Sequence, residues 1–383
     1  MNTLRSPLYS LIPRSFGYST SFRLRAAPQS EFGIHEPHRD PAAYQRITHS
    51  YPNRPPRDPS LRAMSSTTTA STQPVTAPLT QHATFLVFSV PDPAAIPTIR
   101  STLADVSSLA KNVSFRDADA RFTCTVGIGS SLWDPLTNNL PRPKELHPFR
   151  EVKGAKHTAF STPGDLLFHI RSERRDLCFE FERQLMDRFG NAVHLEDETV
   201  GFRYFDARDL LGFVDGTANP VGPNVPSSVL VTSEDDPSAS ASAPGGSYVV
   251  VQKYIHDLNG WKSLSTEQQE RIIGRTKPDN VELDDAEEGK QASHKTLSTI
   301  EDDDGNEHDI LRDNMPFGSP ASGEFGTYFI GYTRQLWVIE KMLERMFVGH
   351  PPGLHDRLLD FSRPLTGSVF FAPSLDVLEG LDG

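Results

Sequence analysis

Ala83-Thr-Phe-Leu-Val-Phe-Ser-Val90 opens a run of elements whose order decides the architecture of this chain. The stretch is dense in β-branched and aromatic residues and reads as a strand, followed after Pro93 by a helix-like segment to about Lys111. Arg121-Phe-Thr-Cys-Thr-Val-Gly-Ile128 reads as a second strand and Leu166-Leu-Phe-His-Ile-Arg171 as a third. Asp176 to Phe189 follows as an amphipathic helix, and Ala192 to Phe205 as a fourth strand region. The order βαββαβ is the ferredoxin-like unit.

Working outward, the order partly recurs. Tyr248-Val-Val-Val-Gln-Lys-Tyr254 reads as a strand, Thr266 to Ile273 as a helix, Tyr328-Phe-Ile-Gly-Tyr332 as a strand, Leu336 to Phe347 as a helix and Ser368-Val-Phe-Phe371 as a strand. The halves share pattern rather than identity. The expected fold class is α+β with two ferredoxin-like units, over 81–228 and 247–383, separated by a low-complexity insertion at 229–246. A second insertion, Asp279 to Asp309, is strongly acidic, and long loops of this kind are functional or disordered.

Residues 1 to about 80 are rich in Pro, Ser and Thr without apolar periodicity, so a disordered arm is expected there. Arg5, Arg14, Arg23 and Arg25 fall in a first stretch without acids, a composition that fits a mitochondrial targeting segment and a random basic tail equally. Met64 offers an internal start that would omit the arm. No secretory signal peptide is recognisable, so a cytoplasmic or mitochondrial location is expected.

The 383 residues are 37% hydrophobic and carry a net charge of −12, which disfavours nucleic acid as a partner because phosphate contacts need clustered Lys and Arg. No stretch reaches the roughly 20 apolar residues of a membrane span. Cys124 and Cys178 form no CxxC pair and read as small core residues in a reducing compartment.

Gly212-Phe-Val-Asp215-Gly216 puts one carboxylate on a loop between two glycines, although alone it also fits an Asp closing an ordinary turn. Leu311-Arg312-Asp313-Asn314-Met315-Pro316-Phe317-Gly318 places a guanidinium and an amide on one side of an extended segment, suited to an anion or a polar oxygen ligand. A buried Arg satisfied by a carboxylate fits it as well. His294 lies in Gln291-Ala-Ser-His294-Lys295.

Together these motifs resemble the dye-decolourising peroxidases of the B type over roughly residues 83 to 374. The matching blocks are Gly154-Ala-Lys-His-Thr-Ala159, Pro163-Gly-Asp-Leu-Leu-Phe-His-Ile-Arg171, Gly212-Phe-Val-Asp-Gly-Thr-Ala-Asn-Pro220 with its GxxDG signature, Ile273-Gly-Arg-Thr-Lys277, Ser293-His294, Arg312-Asp-Asn-Met-Pro-Phe-Gly318 and Asp356-Arg-Leu-Leu-Asp-Phe-Ser362. The resemblance implies two ferredoxin-like units packed as an α+β barrel of the dimeric α+β barrel type, forming a homo-oligomer. It implies one haem b per chain, held mainly by the second unit.

In that family pattern His294 is the axial iron ligand, while Asp215 and Arg312, with Asn314, lie on the opposite face and are catalytic. Asp356 is the candidate carboxylate behind His294, with Asp360 as its rival. Arg275 resembles a residue near a haem propionate, and a plain surface arginine is the competing reading. The implied activity is peroxidase, with hydrogen peroxide as oxidant and a small aromatic molecule as reductant. A haem-binding or haem-transfer protein is the alternative.

The residue types suit that chemistry. Peroxide cleavage moves a proton between its two oxygens, which a carboxylate within reach of both can do. The leaving oxygen gathers negative charge, which favours a fixed Arg. A carboxylate bonded to the second nitrogen of an axial imidazole raises its basicity. Trp261, Trp337, Tyr332 and Tyr254 could relay electrons, though ordinary core aromatics fit those positions better. The acidic run Asp302-Asp-Asp-Gly305 could bind Mn2+, against the commoner reading of a solvated hairpin.

Overall fold

Side-chain alternation along one large antiparallel sheet creates the spaces in which this protein works; a computed structural model describes residues 71–382. In the first half β1 (His82–Ser89) is followed by α1 (Ile96–Ala104), α2 (Val106–Ser114), β2 (Thr123–Gly129), α3 (Ser130–Leu136), β3 (Leu166–Ser172), α4 (Arg175–Phe189) and β4 (His194–Phe202). In the second, β5 (Ser247–His256) is followed by α5 (Thr266–Ile273), α6 (His294–Ser298), β6 (Leu311–Arg312), β7 (Met315–Ser319), β8 (Glu324–Thr333), α7 (Leu336–Phe347) and β9 (Ser368–Ala372).

The strand order is β6-β8-β5-β9-β2-β3-β1-β4, with β7 also on β8. Each set of four places its first strand between its third and fourth, the ferredoxin-like order, as the sequence pattern predicts. Phe370 pairs with Gly129 and Phe371 with Ile128, which welds the halves into one sheet. Its far edges also meet, because a Cβ on Gly201 of β4 would lie 2.4 Å from the Met315 Cβ on β7. The sheet therefore curls towards a barrel.

Successive residues face opposite sides. Phe85, Val87, Leu167, Val249, Val251 and Phe370 fill the enclosed interior. Leu86, Phe88, Phe168, Val250 and Phe371 face the helices. Helix α4 buries Leu177, Phe181, Leu185 and Phe189 at four-residue spacing, and α7 buries Leu336, Ile339, Leu343 and Phe347. Burying such a stripe is worth roughly 2 kcal/mol per large apolar side chain, which is what holds these helices on the sheet.

The single helix expected after Pro93 breaks at Asp105 into α1 and α2. The expected arm of residues 1 to about 80 overlaps the described part in its last ten residues, and there the expectation is corrected. Val75 packs in the barrel interior, and the Gln73 amide bonds to Val126 and to the Pro373 carbonyl. Composition hid this because one buried Gln and one Val have no periodicity. The targeting segment and the Met64 start lie outside the described residues.

The low-complexity segment 229–246 is packed in part. Asp236 and Ala239 are buried, and the Asp236 carboxylate accepts from the backbone of Lys144 and Ala239. It packs beside residues 141–145, outside the cavity described below. Cys124 and Cys178 are buried and unpaired, and burial pushes the Cys178 thiol up to about 12. Among the described residues no helix is long and apolar enough to cross a membrane.

Candidate active site

Between the second half of the sheet and its helices lies a cavity with about 1480 Å³ of empty space out to its mouth. Its sheet wall comes from alternate positions of β5 and β8, where Gln252, Tyr254, His256, Thr327 and Phe329 point inward. The opposing wall is apolar, from Ile339, Met342, Leu343 and Met346 of α7. His294 enters from the first residue of α6, a short helix whose start is fixed by Ser293, its side chain accepting from the Thr296 N–H.

The structure brings together most of the residues singled out in the sequence. Asp215, Arg275, His294, Arg312 and Asn314 all line this one cavity. Gly212 and Gly216 both have positive φ, 96° and 76°, so the loop that presents Asp215 depends on them. The Asp215 carboxylate accepts from the Gly216 N–H at 2.6 Å and from the Asn314 amide at 3.0 Å. Asn314 is oriented in turn, because its oxygen accepts from the Ile330 N–H at 3.2 Å.

Arg312 lines the cavity with its Nε buried and, among the described residues, without a hydrogen-bond partner. That is an unfinished site, since a buried donor left unpaired costs about 1–3 kcal/mol. Gln252 Nε2 is in the same condition on the same wall. Asp313, between Arg312 and Asn314, points the other way into the barrel. There it meets Arg171 of β3 at 2.9 Å, both side chains almost fully buried. Burial nevertheless raises the Asp313 carboxyl, against the pull of Arg171. This pair ties the strand carrying the cavity residues to the first half of the molecule.

On the helix side His294 Nδ1 lies 2.6 Å from the fully buried Asp356 carboxylate, which leaves Nε2 as the free ring nitrogen. Asp356 is itself fixed by the Leu358 N–H at 2.9 Å. Asp360 is the wrong carboxylate for this role: its oxygens are engaged by Lys156, His157, His355 and Arg357. Arg275 lines the cavity from just before the acidic segment, and its guanidinium donates to the Asn280 carbonyl and to Glu282 within that segment.

The acidic segment forms a hairpin, Ile300–Glu301 paired with Glu307–His308, and the Asp302 carboxylate accepts from Asp304, Asn306 and His308. His308 lines the cavity and packs edge-on to Trp337. His169 lies in the barrel interior, bonded to the Tyr332 hydroxyl at 2.8 Å. Trp261 is a core residue whose indole donates to the Leu211 carbonyl.

Sequence reasoning gave no role to two residues that the structure puts to use. Asn219, inside the quoted GxxDG block, accepts from the Arg312 N–H at 3.0 Å and donates to the Arg312 carbonyl at 2.7 Å, locking the loop to the strand. His256 lines the cavity between Ser362 and Thr327, and burial pushes its imidazole down to about 4. A polar residue at every second position of β5, from Gln252 onward, was the available signal.

A roomy cavity with one apolar wall, entered by an imidazole whose second nitrogen is already fixed, suits a protein that holds a flat metal macrocycle. The sequence pattern of the N-terminal region of Dyp-type peroxidases matches residues 72–203, and that of their C-terminal region matches 206–377. A dye-decolorizing peroxidase of Mycobacterium tuberculosis is 50% identical over 310 residues, covering 81% of this chain and 90% of that protein. A Rhodococcus jostii RHA1 DypB variant solved in complex with heme is 50% identical, with a TM-score of 0.77 over 82% of this chain and 99% of the other. The encapsulated DyP-type peroxidase from Mycobacterium smegmatis is 50% identical, with a TM-score of 0.76 over 81% and 98%. The chain belongs to the Dyp-type peroxidase family, and its fold is the paired ferredoxin-like α+β barrel expected.

Proposed function

We propose that this peroxidase holds haem b in the cavity through His294 Nε2, and that Asp215, Arg312 and Asn314 handle hydrogen peroxide at the sheet wall. Bound haem supplies the iron that gives and accepts electrons, and a small aromatic donor replaces them. The residues present fit the group: an apolar helix wall for the ring, a fixed imidazole for the metal, and an orphaned guanidinium on the other wall.

Asp356 keeps His294 in one tautomer and makes its free nitrogen a stronger donor. Asp215 accepts the proton of the nearer peroxide oxygen and returns it to the departing one, while the Asn314 amide holds the carboxylate in place. Arg312 offsets the charge that gathers on the leaving oxygen. The reading rests on the Asp215–Asn314 bond beside the unpaired Arg312, since a haem carrier needs the cavity and His294 but no acid–guanidinium pair. Absorption spectroscopy of the purified protein tests it: a Soret band that shifts on adding peroxide is expected. A Soret band indifferent to peroxide would favour the carrier.

A homo-oligomer and a cytoplasmic or mitochondrial setting complete the proposal, the arginines of the first 30 residues fitting a targeting segment and a basic tail equally. Light scattering and cell fractionation are the corresponding measurements. Division of the chain into units at 81–228 and 247–383 also stands as part of this reading, supported by the strand order of each half.

A further inference from the structure

Outside the cavity, the loop at Lys156-His157 meets the turn Arg357–Asp360, and His157, His355 and Asp360 come together there. One ligand atom from each lies within 4.8 Å of the others. His157 Nε2 is 3.0 Å, and His355 Nε2 3.1 Å, from the same atom, Asp360 Oδ1. The two rings meet edge to face, 5.0 Å between centroids, so their Nε2 atoms converge on the carboxylate without stacking. Ligands about 2.0–2.1 Å from a tetrahedral ion sit roughly 3.3 Å apart, and both carboxylate-to-imidazole edges are already near that spacing.

We propose that His157, His355 and Asp360 form a binding site for a borderline divalent transition-metal ion such as Zn2+, with the remaining position left to water. Two imidazoles and one carboxylate select this class over Mg2+ or Ca2+, which prefer all-oxygen shells. The three side chains are only 19%, 16% and 11% exposed, so the site is sheltered but reachable.

The local cations fit this reading. Lys156 Nζ sits on Oδ1, the atom shared by both imidazoles, and is 58% exposed, so its ammonium holds the cation position and has room to leave. Arg357 bonds the other oxygen, Oδ2, at 2.6 Å and can remain there while an ion binds. Asp360 closes the turn that Asp356 caps, so an ion here would brace the carboxylate behind His294.

The test is Zn2+ titration of the haem-loaded full chain by calorimetry, with zinc and iron counted by mass spectrometry. One zinc per chain is expected beyond the haem iron. His157→Ala and His355→Ala should each weaken it about tenfold or more, since even outer-shell losses cost that much at metal sites. Lys156→Ala, a change at an exposed side chain that leaves the fold intact, should tighten binding severalfold by removing the competing ammonium. No stoichiometric zinc in the wild type, or wild-type affinity in either histidine variant, overturns the site. Unchanged or weaker binding in Lys156→Ala overturns the shared-oxygen geometry on which it is built.

Discussion

The two halves of the sheet share a strand order but enclose opposite things. In the first half the space under the helices is filled, with Phe88, Phe168 and Phe189 in mutual edge-on contact at 5.8–5.9 Å and Phe181 buried beside them. In the second half the corresponding space is the cavity, and helix-facing strand positions carry Gln252, His256, Thr327 and, on the adjoining segment, Arg312 and Asn314. Polar groups there cannot be buried unpaired against a packed helix, and the face of α7 carrying Ile339, Met342, Leu343 and Met346 borders the cavity, leaving room for a ligand. One topology thus yields a core or a site according to every second residue of a few strands.

The sharpest way to break this comparison is to remove the polar groups that distinguish the second half. Asp215→Asn is expected to slow peroxide turnover by about 10² to 10⁴, and Arg312→Leu by about 10² or more, with haem retained in both. Stopped-flow reaction with peroxide measures this, and wild-type rates in both variants would sink the assignment.

His294→Ala should leave haem weakly held or in a changed spin state in the ferric spectrum. His169→Ala and His308→Ala should keep the wild-type spectrum, because one is bonded to Tyr332 in the barrel and the other to Asp302 in the hairpin. An unaltered spectrum in His294→Ala would move the axial ligand elsewhere.

Packing gives a direct contrast between the halves. Phe181→Ala in the filled half should cost about 3–5 kcal/mol. Met342→Ala, on the cavity wall, should cost less than about 2 kcal/mol before haem is added, because its side chain already borders empty space. Urea unfolding of the two variants compares them, and equal losses would show that the second half is packed like the first.

His256 predicts a pH dependence. Its imidazole is held down to about 4 in the folded chain against about 6.5 unfolded, so only the unfolded state takes up a proton between those values. Stability is full above pH 6.5 and falls by up to about 3 kcal/mol as pH drops towards 4. In His256→Gln, urea midpoints at pH 7.5 and 5 should lie closer together than in the wild type. The smallest effect concerns the start of the chain. A form beginning at Met64 should match the full chain in haem content and turnover, whereas one beginning at Gln81 loses the Gln73 and Val75 contacts and should melt earlier.

Much of this was legible because strands and helices of the first half announce themselves by period, and because GxxDG and Arg312-Asp-Asn carry their chemistry in adjacent residues. The Asp356 partnership with His294 came from family resemblance, since 62 residues separate the two. What stayed hidden depends on distance in the fold. Nothing local reveals that Arg171 and Asp313 meet, that Asn219 grips Arg312, or that Asp236, Ala239 and Ala243 of the Ser- and Ala-rich stretch are buried. The break at Asp105 was missed because no Pro or Gly marks it.

The segment 312–314 threads between two compartments, sending Arg312 and Asn314 into the cavity and Asp313 into the barrel. Its message is therefore written in reading phase as well as in residue identity. A single inserted or deleted residue just upstream, sliding this segment by one place, would turn the guanidinium towards Arg171 and aim the carboxylate at the cavity. Natural length changes in the acidic segment before it are then expected to be absorbed inside the Asp302 hairpin, whose turn can grow or shrink without shifting the phase of the strand that follows.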